Sequence, residues 1–253
     1  MVFLLSYSGI TFDLLESTKN ISNDKKYIVT KGSIEKVVPK TGLSKSHVIS
    51  YLSGANKTRE RGFLSFEGTI APSCIFLKYY FLHNNLTDVE KFVESTMNYW
   101  KNYFEELFQD KNLIKKLFQP NGIINIFNGD YTKSAGIDLE SKIIESGIFN
   151  CIIHEKKNFS HGRFINYEHL SEKKNIYFKE KNESKYESEL LNYLKNDTTL
   201  VIESRYNGIL CEFDLLVASQ YLIYYISNYL KLDMSKPTYS EDAMKIYFYK
   251  GNL

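Results

Sequence analysis

Short apolar runs alternate with amphipathic stretches along this chain. In its first third, MVFLLS reads as a strand, ITFDLLEST as a short helix and KKYIVT as a second strand. SIEKVVP reads as a helix closing at Pro39, HVISYL as a third strand, and EGTIAPSCIFLKYYFL as a longer helix. Strand-length apolar runs separated by helices predict βαβ units, because a parallel strand pair needs a crossover long enough to bring the chain back. From Leu86 the period changes. Val89, Phe92, Val93, Met97, Trp100, Phe104 and Leu107 recur at steps of three and four, the stripe of a long amphipathic helix over 87–118 that Thr87 can cap. QPNG, residues 119–122, is a turn signal and marks a boundary.

Beyond that boundary the alternation restarts. IINIFNGD is a strand and turn, YTKSAGIDLESKIIES a helix, NCIIHE a strand or extended segment and NIYFKE a strand. KYESELLNYLKN is a helix, TTLVIES a strand, and CEFDLLVASQYLIYYISNYLKL a long C-terminal helix. The prediction is an α/β protein of two similar halves, residues 1–85 and 121–253, with a connecting helix over 86–120. A duplicated α/β unit suits a nucleotide- or phosphate-binding architecture.

Charge narrows the partners. The 253 residues carry 32 basic and 30 acidic side chains, a net charge of +2, which gives no electrostatic reason to expect nucleic acid or an anionic membrane. Phe213–Leu230 is apolar but holds Asp214, Gln220, Ser227, Asn228 and four tyrosines, so it reads as a buried helix, not a membrane span. Cys74, Cys151 and Cys211 are far apart and set in apolar surroundings; buried reduced thiols fit a cytoplasmic protein. No CxxC or HExxH spacing points to a metal, and no cofactor is implied. The apolar start lacks a basic flank and is too short for a signal peptide.

Two stretches carry candidate chemistry. SYSGITFD places Ser6, Ser8 and Thr11 around Gly9 directly after a strand. These hydroxyls suit either a helix N-cap or an anion cradle in which hydroxyls, turn N–H groups and a helix N-terminus converge on a phosphate. KIIESGIFNCIIHEKKNFSHGRF, residues 142–164, puts Glu145 near a helix end and His161 beside Gly162 in a loop. Carboxylate and imidazole form a common general acid/base pair, but a solvated helix-end Glu and a turn His fit the same residues.

SYSGITFD resembles the phosphate loop of the SIS (sugar isomerase) domain family, whose pattern is roughly S-x-S-G-x-T-x-D/E after a strand. KIIE, followed sixteen residues later by His161-Gly162, is similar to a second signature in the isomerase half of glucosamine-6-phosphate synthase. RGFLSFEGTIAPS, residues 61–73, resembles that enzyme's G-V-A-S-T segment, with Ser65 in step. FDLLVASQYLIYYISNYLKLDMSKP resembles its last helix and D-x-D-x-P segment, with Asp233 and Pro237 in step.

The resemblance implies two SIS-type, flavodoxin-like parallel-sheet halves (an αβα sandwich). Ser6, Ser8, Gly9, Thr11 and Ser65 would bind a phosphorylated sugar. Glu145, its pKa raised by burial, would shuttle the proton of an aldose–ketose isomerisation, and His161 would assist ring opening. In the family this histidine reaches the neighbouring subunit's site, which implies a homodimer.

Departures from the family matter too. The first half is expected to be incomplete, since an earlier strand and helix of the SIS pattern have no counterpart before Val2; either another chain supplies them, or the sequence is a fragment of a longer protein, or the first half is degenerate. The glutamine-hydrolysing domain is absent, the terminal R-N-L-A-K segment is not reproduced, and Lys245 falls three positions late. Arg163 stands where the family often has Pro, and Tyr7 replaces a polar loop residue. A non-catalytic sugar-phosphate sensor is the alternative function.

Overall fold

The computed structural model describes residues 1–6, 8–51, 66–119, 123–234 and 236–247. It is an α/β protein with two parallel sheets, in two compact units.

The first unit opens with β1 (Val2–Leu5), α1 (Phe12–Ser17), β2 (Lys26–Thr30), α2 (Ile34–Thr41) and β3 (Val48–Ser50), followed by α3 (Glu67–His83), of which residues up to Tyr79 belong to it. Its strands pair in parallel in the order β1-β2-β3, with Val2 opposite Lys26 and Ile28 opposite Val48. Ile28, Val37, Leu43 and Val48 form the core, and Leu4, Ile10 and Leu14 pack onto it. Among the described residues β1 pairs on one side only, and Phe3 and Leu5 are 43% and 51% exposed. An apolar strand at a sheet edge leaves its outer N–H and C=O groups open to pairing.

Helix α2 does not close at Pro39 as expected. It runs two residues further, because a proline in the last turn removes a single bond. Gly42 then ends it in the left-handed region at φ 68°, donating its N–H to the Val38 carbonyl.

The second unit runs from Tyr80 to Pro237. It contains α4 (Val89–Leu107), α5 (Lys111–Leu117), β4 (Ile123–Asn128), α6 (Lys133–Ser146), β5 (Asn150–Glu155), a turn α7 (Lys156–Asn158), α8 (Phe164–Glu168), β6 (Lys174–Lys179), α9 (Lys185–Leu194), β7 (Thr199–Glu203) and α10 (Gly208–Leu230). The final α11 (Glu241–Tyr247) groups with the first unit. The order β5-β4-β6-β7 is doubly wound: the chain leaves β4 to one side, then crosses to the other. Ligands of such sheets bind at the carboxyl ends of the strands.

Three expectations for the middle of the chain need correction. The long helix over 87–118 is two helices, broken where Asp110 accepts the N–H groups of Asn112 and Leu113 at 3.1 Å and so starts α5. Asp88, not Thr87, takes the cap position of α4, at φ 63°. Met97 faces outward, 42% exposed, while Trp100 and Phe104 are fully buried. The Trp100 indole donates to Asp214 Oδ1 on α10 at 3.1 Å. Helix α10 is long and apolar enough to cross a membrane by composition, but 67% of that stretch is buried within the protein. Cys211 is buried and Cys74 and Cys151 are half-buried; all three are free thiols.

Candidate functional site

The loop after β1 is built by its own hydroxyls. Ser6 extends the ladder by one bond, its N–H donating to the Val29 carbonyl at 3.2 Å. Gly9 then turns the chain at φ 71°. The Gly9 N–H donates to Ser6 Oγ at 3.1 Å and the Ile10 N–H to Ser8 Oγ at 3.3 Å. A hydroxyl that accepts in this way keeps its own O–H for an outside acceptor. Gly9 is required for space as well as conformation: a Cβ there would lie 2.9 Å from both Thr30 Oγ1 and Val37 Cγ2. The loop after β2 packs behind it. The Gly32 N–H donates to Thr30 Oγ1 and the Ser50 hydroxyl to the Gly32 carbonyl, both at 2.9 Å.

Thr11 occupies the N-cap position of α1, yet its side chain bonds no helix N–H. It is exposed. The capping explanation for this hydroxyl therefore does not hold. Helix α1 has six residues, so its dipole adds little at the loop. Ser65 and Tyr7 lie outside the described residues.

Glu145 sits in the last turn of α6, exposed, its Oε1 accepting the Ser141 hydroxyl at 2.7 Å. The burial expected to raise its pKa is not supplied by this chain. His161 is also exposed, at a kink where Gly162 adopts φ 103°. Topology keeps the two apart. Glu145 precedes β5 and His161 follows it. The six residues of β5 span roughly 17 Å at the usual strand rise. The helical turn from Lys156 to His161 advances roughly 1.5 Å per residue, too little to return the histidine to the glutamate's end. Lys245 forms an ion pair with Asp242 at 2.7 Å on α11.

The sequence reading passed over three buried polar clusters in the second unit. Lys156 is fully buried, 2.5 Å from Glu183 Oε1 and 3.6 Å from Glu187 Oε1, with its ammonium 4.2 Å from the centre of the Tyr177 ring. Asp138 accepts from Lys142, Ser219 and Gln220 between α6 and α10. Asp214 accepts from Trp100, the Ser204 hydroxyl at 2.8 Å and Arg205 Nη2 at 3.0 Å. An Asp inside the apolar run CEFDLLVAS was the one available signal, since a carboxylate survives burial only when its oxygens are satisfied. Among the described residues no group of three His, Cys, Asp or Glu could hold a metal ion.

No protein-family model and no curated protein matches this sequence. Solved structures share its fold. Glucosamine-6-phosphate deaminase from Thermotoga maritima aligns over 94% of this chain and 73% of its own, with 16% identity and a TM-score of 0.68. The C-terminal domain of glucosamine-fructose-6-phosphate aminotransferase from Francisella tularensis aligns over 93% and 73%, with 17% identity and a TM-score of 0.58. Tagatose-6-phosphate ketose/aldose isomerase from Escherichia coli aligns over 92% and 70%, with 14% identity and a TM-score of 0.59. The chain therefore has the fold of the SIS-type phosphosugar isomerases, as its motifs suggested.

Proposed function

We propose that this protein binds a phosphorylated sugar through Ser6, Ser8, Gly9 and Thr11 and interconverts its aldose and ketose forms. The observation that carries the reading is the loop after β1. Two hydroxyl oxygens accept backbone N–H groups and keep their O–H groups for an anion, around a glycine that no other residue can replace without collision. Phosphoryl oxygens are strong acceptors, and charge-assisted bonds to them are about twice as strong as neutral ones. Neutral donors also explain how a chain with almost no net charge can take such a ligand. The three relatives named above, whose names give hexose or hexosamine phosphates, support the same class of ligand.

Proton transfer is assigned to Glu145 and ring opening to His161. The glutamate would take the proton from C2 of the open-chain aldose, giving an enediolate; the O2 proton passes to O1, and the glutamate returns its proton to C1 as the C2 carbonyl of the ketose forms. The 17 Å strand that separates the two residues means one copy of the chain cannot bring both to one sugar. A homodimer that pairs Glu145 of one copy with His161 of another would do so, and would bury the glutamate. If no such assembly forms, the exposed Glu145 and His161 favour the sensor reading, with sugar-phosphate binding and no turnover.

Ser8→Ala combined with Thr11→Ala tests the cradle. Binding of fructose 6-phosphate, followed by calorimetry, should weaken by about 2–4 kcal/mol from two lost charge-assisted bonds, while fructose binding hardly changes. Equal losses for both ligands would remove the phosphate assignment.

A further inference from the structure

The second unit has an anion-binding feature of its own. The carboxyl ends of β4 and β5 and the start of α6 enclose a cavity of about 220 Å³. Ile137 and Ile153 give it an apolar wall, and Asn128, Lys133, Glu155, Asn158 and Arg163 give it polar ones. Lys133 is exposed, and its ammonium meets no carboxylate among the described residues. Arg163 is exposed too. It commits one nitrogen, Nη1, to the Ile153 carbonyl at 3.3 Å and leaves the rest of its fork available. The one acidic group, Glu155, already accepts the Asn158 side-chain amide at 2.6 Å. Two cations therefore face one carboxylate whose hydrogen bonding is partly satisfied. Two lysines nearby in sequence are held by acids: Lys157 by Asp130 at 2.5 Å and Lys156 by Glu183.

We propose that this cavity binds a phosphoryl dianion, held by Lys133 and the free edge of Arg163, independently of the hydroxyl loop of the first unit. The volume admits a phosphoryl group with a short organic tail. A planar guanidinium can take two phosphoryl oxygens in parallel, and the lysine adds a movable point charge. The cavity lies at the carboxyl ends of β4 and β5, one strand over from the switch point between β4 and β6. The assignment gives Arg163 a role where the SIS pattern often carries proline.

The test is a titration of the full chain with inorganic phosphate, then fructose 6-phosphate, at constant ionic strength, followed by backbone amide NMR. Amide shifts at Lys133, Ile153 and Arg163 are expected, saturating with one affinity. Lys133→Ala with Arg163→Ala should weaken that affinity on the order of tenfold or more. Both side chains are exposed, so the double variant should keep its dispersion of amide signals and its melting temperature. Saturation by inorganic phosphate alone would identify a free anion as the occupant; saturation by the ester as well would admit a phosphorylated metabolite. Shifts confined to residues 6–11 would overturn this proposal and leave the first-unit cradle standing. Shifts at 133 and 163 that persist in Ser8→Ala with Thr11→Ala would uphold it even if the cradle fails. Equal shifts with sodium chloride, or an affinity within twofold in the double variant, would also overturn it.

Discussion

His154 should make this fold acid-sensitive in a defined window. The residue lies on β5, 3% exposed, with its ring stacked on Phe127 at 4.9 Å and edge-on to Phe159 at 5.3 Å. Its Nε2 meets Asn125 Oδ1 at 3.1 Å, and the Asn125 amide nitrogen donates to the Lys174 carbonyl. That fixes the amide and makes Nε2 the donor. Nδ1 is then a bare lone pair with no partner among the described residues. Protonating it would place a cation among aromatic rings. Burial, reinforced by the nearby Arg163 guanidinium, lowers its pKa from 6.5 to about 4. In the unfolded chain the imidazole takes up its proton near pH 6.5, and in the folded chain only near pH 4. Between those values the unfolded state binds more protons, so stability falls as pH falls, by up to about 1.4 kcal/mol per pH unit. Across 2.5 pH units the loss comes to about 3 kcal/mol, a large share of a domain's stability. Below pH 4 this contribution levels off.

Urea unfolding of the wild type and of His154→Gln, from pH 7.5 to pH 4, measures the effect. Glutamine can still donate to Asn125 but takes up no proton. The variant should lose stability at neutral pH from imperfect packing and lack the His154 slope between pH 6.5 and 4. Stability curves that run parallel through that window, or an imidazole signal for His154 titrating near 6.5, would refute the argument.

Four further outcomes follow from the same structure. If the proposed isomerisation holds, Glu145→Gln should lower turnover by a factor on the order of 10² to 10⁴ with ligand affinity little changed, measured by NMR exchange at C2; near-wild-type turnover would remove Glu145 from the mechanism. His161→Asn should slow reaction of the closed ring more than of an open-chain analogue, and equal slowing would contradict a ring-opening role. Asp214→Ala should cost roughly 3–5 kcal/mol in denaturant unfolding, because Trp100, Ser204 and Arg205 lose their common acceptor; a loss below about 1 kcal/mol would show the cluster to be dispensable. In hydrogen exchange, the amides of β4 and β6 should be better protected than those of β1 and β2, since β1 pairs on one side only among the described residues; equal protection would count against a weaker first unit.

The strands were legible because parallel strands are buried on both faces and read as continuous apolar runs. IINIFN and NIYFK became β4 and β6 almost residue for residue. The serine–glycine loop was legible for a different reason: a glycine between hydroxyls after a strand has few structural uses. The errors came where local chemistry overruled periodicity. The stripe from Val89 to Leu107 continues in register into Ile114 and Leu117, so a hydrophobic pattern alone joins α4 to α5; only the Asp110 side chain breaks them. The Lys156 cluster was hidden because its members come from three separate segments, and an isolated lysine in HEKKN reads as solvated.

That cluster also explains how the two sheets can differ in what they bind. In the second unit the crevice beside β4 and β6, where a doubly wound sheet would take its ligand, is filled by Lys156, Glu183 and Glu187. A Cβ at Gly129 would come within 3.1 Å of Glu187 Oε1 and 3.5 Å of Lys156 Cδ, so the loop after β4 lies directly against these side chains. An anion entering there would have to separate Lys156 from Glu183. Breaking a buried pair of this kind costs about 3–5 kcal/mol before any new bond forms. The loop after β1 imposes no such cost, since its donors are neutral hydroxyls already aligned by Gly9 and Ile10. On the β5 side of β4 the cations Lys133 and Arg163 are likewise uncommitted to carboxylates. The energetics thus turn an anion away from the crevice between β4 and β6, and the two proposed anion sites, the loop after β1 and the cavity between β4 and β5, both lie outside it.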